Sequence, residues 1–140
     1  LQRDMRVDPP DSEAVGRHRI LVVGHPAARE AMGQLVAALS QLHLDGISIA
    51  YRPHPTEAGP VVLPFAEPGS YQVTASDNTA PATDVIVSYA SSVTGELVAA
   101  TGATLVRWDP NGVAAVPEAV AGVREALASH ASAPQARQVR

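Results

Sequence analysis

The sequence alternates between short aliphatic runs, typical of buried strands, and segments whose apolar residues recur at helical spacing. The most continuous run, residues 19–23, predicts the first strand, and further strands are expected at 47–51, 71–74, 84–88 and 104–108. Strands that alternate with helices form right-handed crossovers and therefore a parallel sheet. The pattern predicts one α/β domain with a Rossmann-like open parallel sheet and helices on both faces.

Three helices are expected around these strands. The first is predicted to open near Pro26 and to bury one apolar stripe. The second is predicted over residues 91–101, with Gly102 as a left-handed C-cap. The third is predicted to open at Pro117. The residues expected to face the core are Met32, Leu35, Val36, Leu39 and Leu42 in the first helix, Val93, Leu97 and Val98 in the second, and Val120, Val123 and Leu127 in the third.

The composition argues against nucleic acid, metal ions and a membrane span as features of this chain. The net charge is −4 and all ten basic residues are arginine, so no basic patch predicts nucleic-acid binding. The chain has no cysteine, which excludes disulfides and thiolate metal sites. Its five histidines lack metal-ligand spacing, so neither a metal nor another cofactor is expected. No apolar run reaches the roughly 18 residues of a membrane span.

The chain divides into three parts by periodicity and composition. Residues 1–16 contain Pro9-Pro10 and no periodic pattern, and are predicted to be a flexible arm or linker. Residues 17–130 form the predicted domain, and residues 131–140 are predicted to be a disordered tail. Because the chain begins with leucine, we expect it to be a segment of something longer.

Unusual polar motifs follow three of the predicted strands. They are Gly24-His25, Arg52-Pro53-His54-Pro55 and the segment 88–92. The carboxyl ends of parallel strands meet at one edge of a sheet, and ligands of open α/β sheets bind beyond that edge. The sequence therefore predicts a binding site there, with Gly24 allowing a tight turn and His25 among the residues that contact the ligand.

The motif at residues 52–55 suits an anionic ligand. The two prolines make an extended segment that fixes where the imidazole of His54 points. His54 could donate a hydrogen bond to a phosphate or sugar oxygen, and Arg52 could add a charge with bidentate geometry for phosphate. The alternative is a proline-rich turn with a solvent-exposed histidine.

The segment after the fourth strand suits the same kind of ligand. A hydroxyl-rich turn that leads into a helix can bind an anion, with donors from Ser91, Ser92 and Thr94. Glu96 lies about one turn into the helix, where it could accept hydrogen bonds from ribose hydroxyls. The alternative is ordinary capping, with Ser91 as the N-cap and Thr94 and Glu96 on the surface.

Taken in order, these motifs resemble the carboxyl-terminal, nucleotide-sugar-binding domain of GT-B-type bacterial glycosyltransferases. The resemblance covers residues 19–108 and rests on Arg-Pro-His-Pro at 52–55, Asp with three apolar residues at 84–87, and the Ser91-Ser92 pair before Glu96. The nearest groups are the capsule and polysialic acid transferases and the CDP-glycerol glycerophosphotransferases. UDP-N-acetylglucosamine 2-epimerases share the domain plan.

The resemblance implies one half of a GT-B fold that binds a UDP-, CDP- or CMP-linked sugar or polyol donor. It implies that His54 meets the donor phosphates as the catalytic residue. The other matched positions are Arg52, where many relatives have lysine, Gly24 in the phosphate-side loop, Ser91 and Ser92 in the turn that cradles the diphosphate, and Glu96 at the ribose-binding glutamate of the epimerases.

The resemblance also implies what the chain lacks. In the family, a separate amino-terminal domain binds the acceptor and supplies the catalytic base, so we expect no sugar transfer by this chain alone. The parent enzyme would be cytoplasmic, at the inner face of the membrane. The alternative hypothesis is a non-catalytic Rossmann-like module used for binding or association.

Overall fold

The computed structural model describes residues 5–8, 18–42, 46–57, 61–75, 77–89, 91 and 93–138, with side chains as far as residue 129. The strands are β1 Arg6–Val7, β2 His18–Val23, β3 Ile47–Arg52, β4 Gln72–Val73, β5 Thr79–Ala80, β6 Val85–Ser88 and β7 Thr104–Arg107. The helices are α1 Arg29–Ser40, which follows a 3-10 turn at Pro26–Ala28, α2 Thr94–Thr101 and α3 Ala115–Gln138.

Five strands form one parallel sheet in the order β4-β3-β2-β6-β7. This confirms the predicted α/β fold with a Rossmann-like open sheet. The first strand of the sheet along the chain, β2, lies at its centre, and the chain adds β3 and β4 on one side, then β6 and β7 on the other. The strand order reverses between β2 and β6, which is where sheets of this kind open a ligand crevice.

Helices cover both faces of the sheet because its strands are apolar on both sides. Ile20 and Val22 of β2 point into the larger core, which they share with α1 and α3. Leu21 and Val23 point to the opposite face, where they pack with Leu97 of α2. The buried side of α1 consists of Met32, Leu35, Val36 and Leu39, as predicted, together with Gly33.

The amino-terminal edge of the sheet carries a partly buried ion pair between Arg19 and Asp84. The carboxylate of Asp84 accepts hydrogen bonds from the backbone N–H of Arg19 at 2.9 Å and from two side-chain nitrogens of Arg19 at 3.2 and 3.1 Å. Asp84 is only 5% exposed. The pair joins the starts of β2 and β6, at the edge opposite the predicted site.

Described residues on both sides of the predicted domain also belong to elements of secondary structure. In the predicted arm, β1 pairs in parallel with β5, and Met5 packs against the smaller core; the rest of residues 1–16 lies outside the described residues. At the other end, α3 continues to Gln138 through most of the predicted tail. Within the part of the chain that the structure describes, no helix is both long enough and apolar enough to cross a membrane.

Candidate functional site

His25 follows the central strand β2 and occupies the N-cap of the 3-10 turn. Its Nδ1 accepts a hydrogen bond from the backbone N–H of Ala27 at 3.2 Å. The intervening Pro26 has no N–H, so the amide two residues on is the first that can reach the ring. The His-Pro sequence therefore fixes the imidazole against its own backbone.

His54 repeats this arrangement after the neighbouring strand β3. Its Nδ1 accepts from the backbone N–H of Thr56 at 3.2 Å and lies 2.8 Å from the Thr56 hydroxyl oxygen. Pro55 again separates the histidine from the donor. The two histidines are thus held by the same local motif at equivalent places in the sheet.

The strand register brings the two rings together. Val23 of β2 pairs with Arg52 of β3, and each histidine comes two residues later. Their ring centroids lie 6.4 Å apart. Because each Nδ1 accepts a backbone N–H, the neutral form of each ring carries its proton on Nε2. The pair can therefore present two N–H donors at the carboxyl edge of the sheet.

Tyr89 extends this cluster across the point where the strand order reverses. It follows β6 directly, and its ring meets that of His25 edge-on with centroids 5.2 Å apart. Sequence reasoning assigned Tyr89 no role, although its position just beyond a strand is equivalent to that of Gly24 after β2. The histidine–tyrosine cluster (His25, His54 and Tyr89) therefore spans the carboxyl ends of three adjacent strands.

Glu57 fixes the turn that carries His54. One carboxylate oxygen, Oε1, accepts from the backbone N–H of His54 at 2.8 Å and from the Tyr51 hydroxyl at 2.9 Å. The other, Oε2, accepts from Nε of Arg29 at 3.3 Å. The Glu57 side chain is only 2% exposed. Sequence reasoning missed this residue, because its three partners lie on β3, on α1 and in the turn itself.

Tyr51 is a donor in this network. It is completely buried, and burial, with the adjacent Glu57 carboxylate, raises the pKa of its hydroxyl well above the usual range. Tyr51 therefore keeps its proton and keeps donating to Glu57 throughout the pH range in which proteins are ordinarily studied.

Gly24 is required by this network, and not only by the turn. A Cβ added at Gly24 would overlap the hydroxyl of Tyr51 and would lie 2.7 Å from Oε1 of Glu57. Both of those atoms belong to the buried network, so neither can move without breaking a hydrogen bond. The absence of a side chain at residue 24 thus lets β2 approach the Tyr51–Glu57 pair closely.

Gly24→Ala should lower the free energy of unfolding by about 1–3 kcal/mol, the usual range for overpacking a filled interior. Urea denaturation followed by circular dichroism would measure the change. Gly95→Ala is the matched control, because a Cβ there meets no atom within 4 Å and alanine favours a helix. Equal stability of Gly24→Ala and the wild type would contradict the described packing.

Arg52 points away from the histidines. Successive strand residues face opposite sides of a sheet, so Tyr51 enters the larger core while Arg52 lies on the other face. Its guanidinium donates to the backbone carbonyls of Thr79, at 2.9 Å, and Asp77. Arg52 is 5% exposed and ties the segment that holds β5 to the sheet. These two carbonyls occupy the Arg52 guanidinium, and its predicted contact with a phosphate remains a prediction.

Glu96 is associated with Arg52. Burial lowers the pKa of the Arg52 guanidinium, and the negative charges of Asp77 and Glu96 partly oppose that effect. Glu96 is therefore close enough to Arg52 for its negative charge to influence the pKa of the guanidinium. The predicted contact of Glu96 with a ribose remains a prediction.

The hydroxyl-rich turn is built differently from the predicted one. The helix α2 begins at Thr94 with Val93 as its N-cap, whereas the sequence predicted a start at Ser91. Ser88 donates to the carbonyl of Tyr89 at 2.9 Å, so the 2.7 Å contact between the Ser88 and Thr94 hydroxyls uses the proton of Thr94. The hydroxyl proton of Thr94 is thus used within the turn, and its predicted donation to the ligand remains a prediction.

Among the described residues of this turn, Ser91 has a hydroxyl proton that none of the described hydrogen bonds uses. Its hydroxyl oxygen accepts a long hydrogen bond, 3.4 Å, from the backbone N–H of Val93. A hydroxyl that accepts still has its own proton to donate. Ser91 is half-buried and, like Tyr89, lines a cleft. Its predicted partner Ser92 lies outside the described residues.

Neither a metal cluster nor a known relative indicates the function of this site. Among the residues that the structure describes, no three histidine, aspartate or glutamate side chains cluster as a metal site would need. Comparison of the chain with known family models and with curated proteins found no match. The geometry at the carboxyl edge of the sheet is therefore the basis of the functional assignment.

Proposed function

We propose that the protein binds the phosphate of a nucleotide-activated sugar or polyol, as the donor-binding domain of a glycosyltransferase-like enzyme of surface polysaccharide biosynthesis. The observation that supports this most is the pairing of His25 and His54, whose rings are held by the same motif beside the reversal of strand order. Two directed N–H donors at such an edge suit a group with several acceptor oxygens.

The chemistry assigned to the pair is electrostatic. When a glycosyl bond to a nucleotide diphosphate breaks, negative charge develops on the departing phosphate. Donors that are fixed before the reaction stabilise this charge without reorganising. His54 and His25 would supply those donors from Nε2, and Ser91 would add a hydroxyl from the far side of Tyr89.

The Glu57 network makes this arrangement rigid. His54 is held through its ring by Thr56 and through its backbone N–H by Glu57. A donor that is already fixed loses little conformational entropy when the ligand binds. The buried carboxylate thus acts on the ligand through the position of His54, without contacting the ligand.

A second candidate is a non-catalytic module for protein–protein association, including association with a second copy of the chain. Val62 and Phe65, on the segment between β3 and β4, are 69% and 63% exposed. Large apolar side chains exposed together favour contact with a partner. This candidate would not require the matched geometry of His25 and His54.

Calorimetric titration with UDP, CDP, CMP and uridine separates the two candidates. We expect the phosphate-bearing ligands to bind at least about tenfold more tightly than uridine, because each charge-assisted hydrogen bond contributes roughly 1.5–3 kcal/mol. Uridine binding as tightly as UDP would contradict phosphate recognition. Absence of binding by every nucleotide, with self-association by ultracentrifugation, would favour the second candidate.

A further inference from the structure

A cleft of about 390 Å³ lies between α2 and the edge strand β7. Its apolar lining includes Val98, Ala99 and Leu105, and its polar lining consists of Tyr89, Ser91, Thr94 and Arg107. The cleft therefore combines apolar surface with hydroxyl groups and one cation.

Arg107 has no counter-charge in this cleft. Its side chain is exposed, and no acidic residue is among the described residues that line the cleft. The ion pairs found among the described residues join other groups, Arg19 with Asp84 and Arg29 with Glu57. A guanidinium keeps its positive charge at all ordinary pH values. It is therefore suited to bind an anionic group of a ligand.

The cleft and the histidine pair lie at the same edge of the sheet. The strands β2, β6 and β7 are neighbours, so the backbones at His25 and Arg107 are separated across the sheet by two strand spacings, roughly 10 Å. Tyr89 stands between them, touching His25 on one side and lining the cleft on the other.

We infer that the cleft is a second anion subsite, and that the ligand of this protein carries an acidic group, a carboxylate or a phosphate, on the moiety joined to its first phosphate. This inference rests on the proposed function for the place of that first phosphate. The histidine pair would hold the first phosphate, the attached moiety would pass Tyr89 into the cleft, and Arg107 would bind its acidic group.

The test uses small ligands that differ only in the second charge: glucose 1-phosphate, glucuronic acid 1-phosphate and glucose 1,6-bisphosphate. Binding is followed by NMR at the Nε–H of Arg107 and at the rings of His25 and His54. We expect one or both of the doubly acidic ligands to bind at least about tenfold more tightly than glucose 1-phosphate, the gain of one charge-assisted contact. The ligand with the larger gain in affinity identifies the preferred acidic group as carboxylate or phosphate.

Arg107→Gln should remove this preference and leave the affinity for glucose 1-phosphate within about twofold, while Arg107→Lys should keep part of it because the charge remains. Arg124→Gln, a change of an exposed arginine on α3, is the control. Equal binding of all three ligands by the wild type, or a preference that survives in Arg107→Gln, would overturn the inference. Ligand-induced NMR shifts at Arg107 without shifts at the histidines would overturn the proposed function instead. No shift at Arg107 or at the histidines would overturn both the inference and the proposed function.

Discussion

Glu57→Ala should lower the free energy of unfolding by about 3 kcal/mol. The change leaves the buried hydroxyl of Tyr51 and the backbone N–H of His54 without an acceptor, and Arg29 without its partner. Each buried donor left unsatisfied costs about 1–3 kcal/mol, and loss of one partner of a buried ion pair costs about 3–5 kcal/mol. Because the Arg29 side chain is 36% exposed and can be solvated, its share of the loss is small, and the two donors account for most of the expected loss of about 3 kcal/mol.

Urea denaturation of wild type, Glu57→Ala and Glu67→Ala would measure this loss. Glu67 is exposed, so its replacement should change stability by less than about 0.5 kcal/mol. Tyr51→Phe should cost less than Glu57→Ala, because it removes one donor and leaves the carboxylate with its other two. A loss below about 1 kcal/mol in Glu57→Ala would mean that the carboxylate does not hold this turn.

Replacing both histidines should produce the largest loss of binding. The informative substitution is asparagine, whose side-chain oxygen can accept the backbone N–H two residues on and so preserve each turn. It is too short to present a donor where Nε2 lies. We therefore expect His25→Asn and His54→Asn each to weaken UDP or CDP binding about tenfold, and the double variant about a hundredfold.

His18→Asn is the matched control. This histidine lies at the start of β2, at the opposite edge of the sheet, and its replacement should leave nucleotide affinity unchanged. Thermal melting beside each titration would show whether the turns have survived. Loss of affinity in His54→Asn alone, with His25→Asn unaffected, would remove His25 from the site and with it the paired geometry.

The sheet could be predicted from the sequence, because each buried parallel strand is a continuous run of apolar residues within one short segment. The aliphatic runs at 19–23, 47–51, 84–88 and 104–108 correspond to β2, β3, β6 and β7 within one or two residues at each end. The run at 71–74 contains β4. By contrast, β1 and β5 pair over two residues each, which is too short to leave a periodic pattern.

Helix starts were harder to predict, because they depend on competing local contacts. The sequence favoured Ser91 as the N-cap of α2, but the Thr94 hydroxyl pairs with Ser88, and the helix begins only at Thr94. The helix α3 begins at Ala115 although Pro117 was the predicted opening. Proline is tolerated throughout a first helical turn, where backbone N–H groups have no partner in the helix.

The position of the candidate site at the carboxyl edge of the sheet could be predicted, but not the full set of residues that form it. That His25 and His54 share one edge follows from the parallel strands, and their approach to 6.4 Å follows from the register of β2 with β3. The direction of Arg52 could not be known, because the carbonyls that it binds come from residues 77 and 79 on a separate segment. The role of Glu57 could not be predicted either, because two of its partners, Arg29 and Tyr51, lie on other elements of the fold.

In the proposed function, the two imidazole rings bind one phosphate through Nε2. Long-range ¹H–¹⁵N NMR of the histidine rings, during titration with pyrophosphate, tests it most directly. We predict that free His25 and His54 both carry their proton on Nε2, that both Nε2 signals move together with one dissociation constant, and that His18 does not respond. Rings protonated on Nδ1 in the free protein, or Nε2 signals of His25 and His54 that stay fixed at saturating pyrophosphate, would contradict the account.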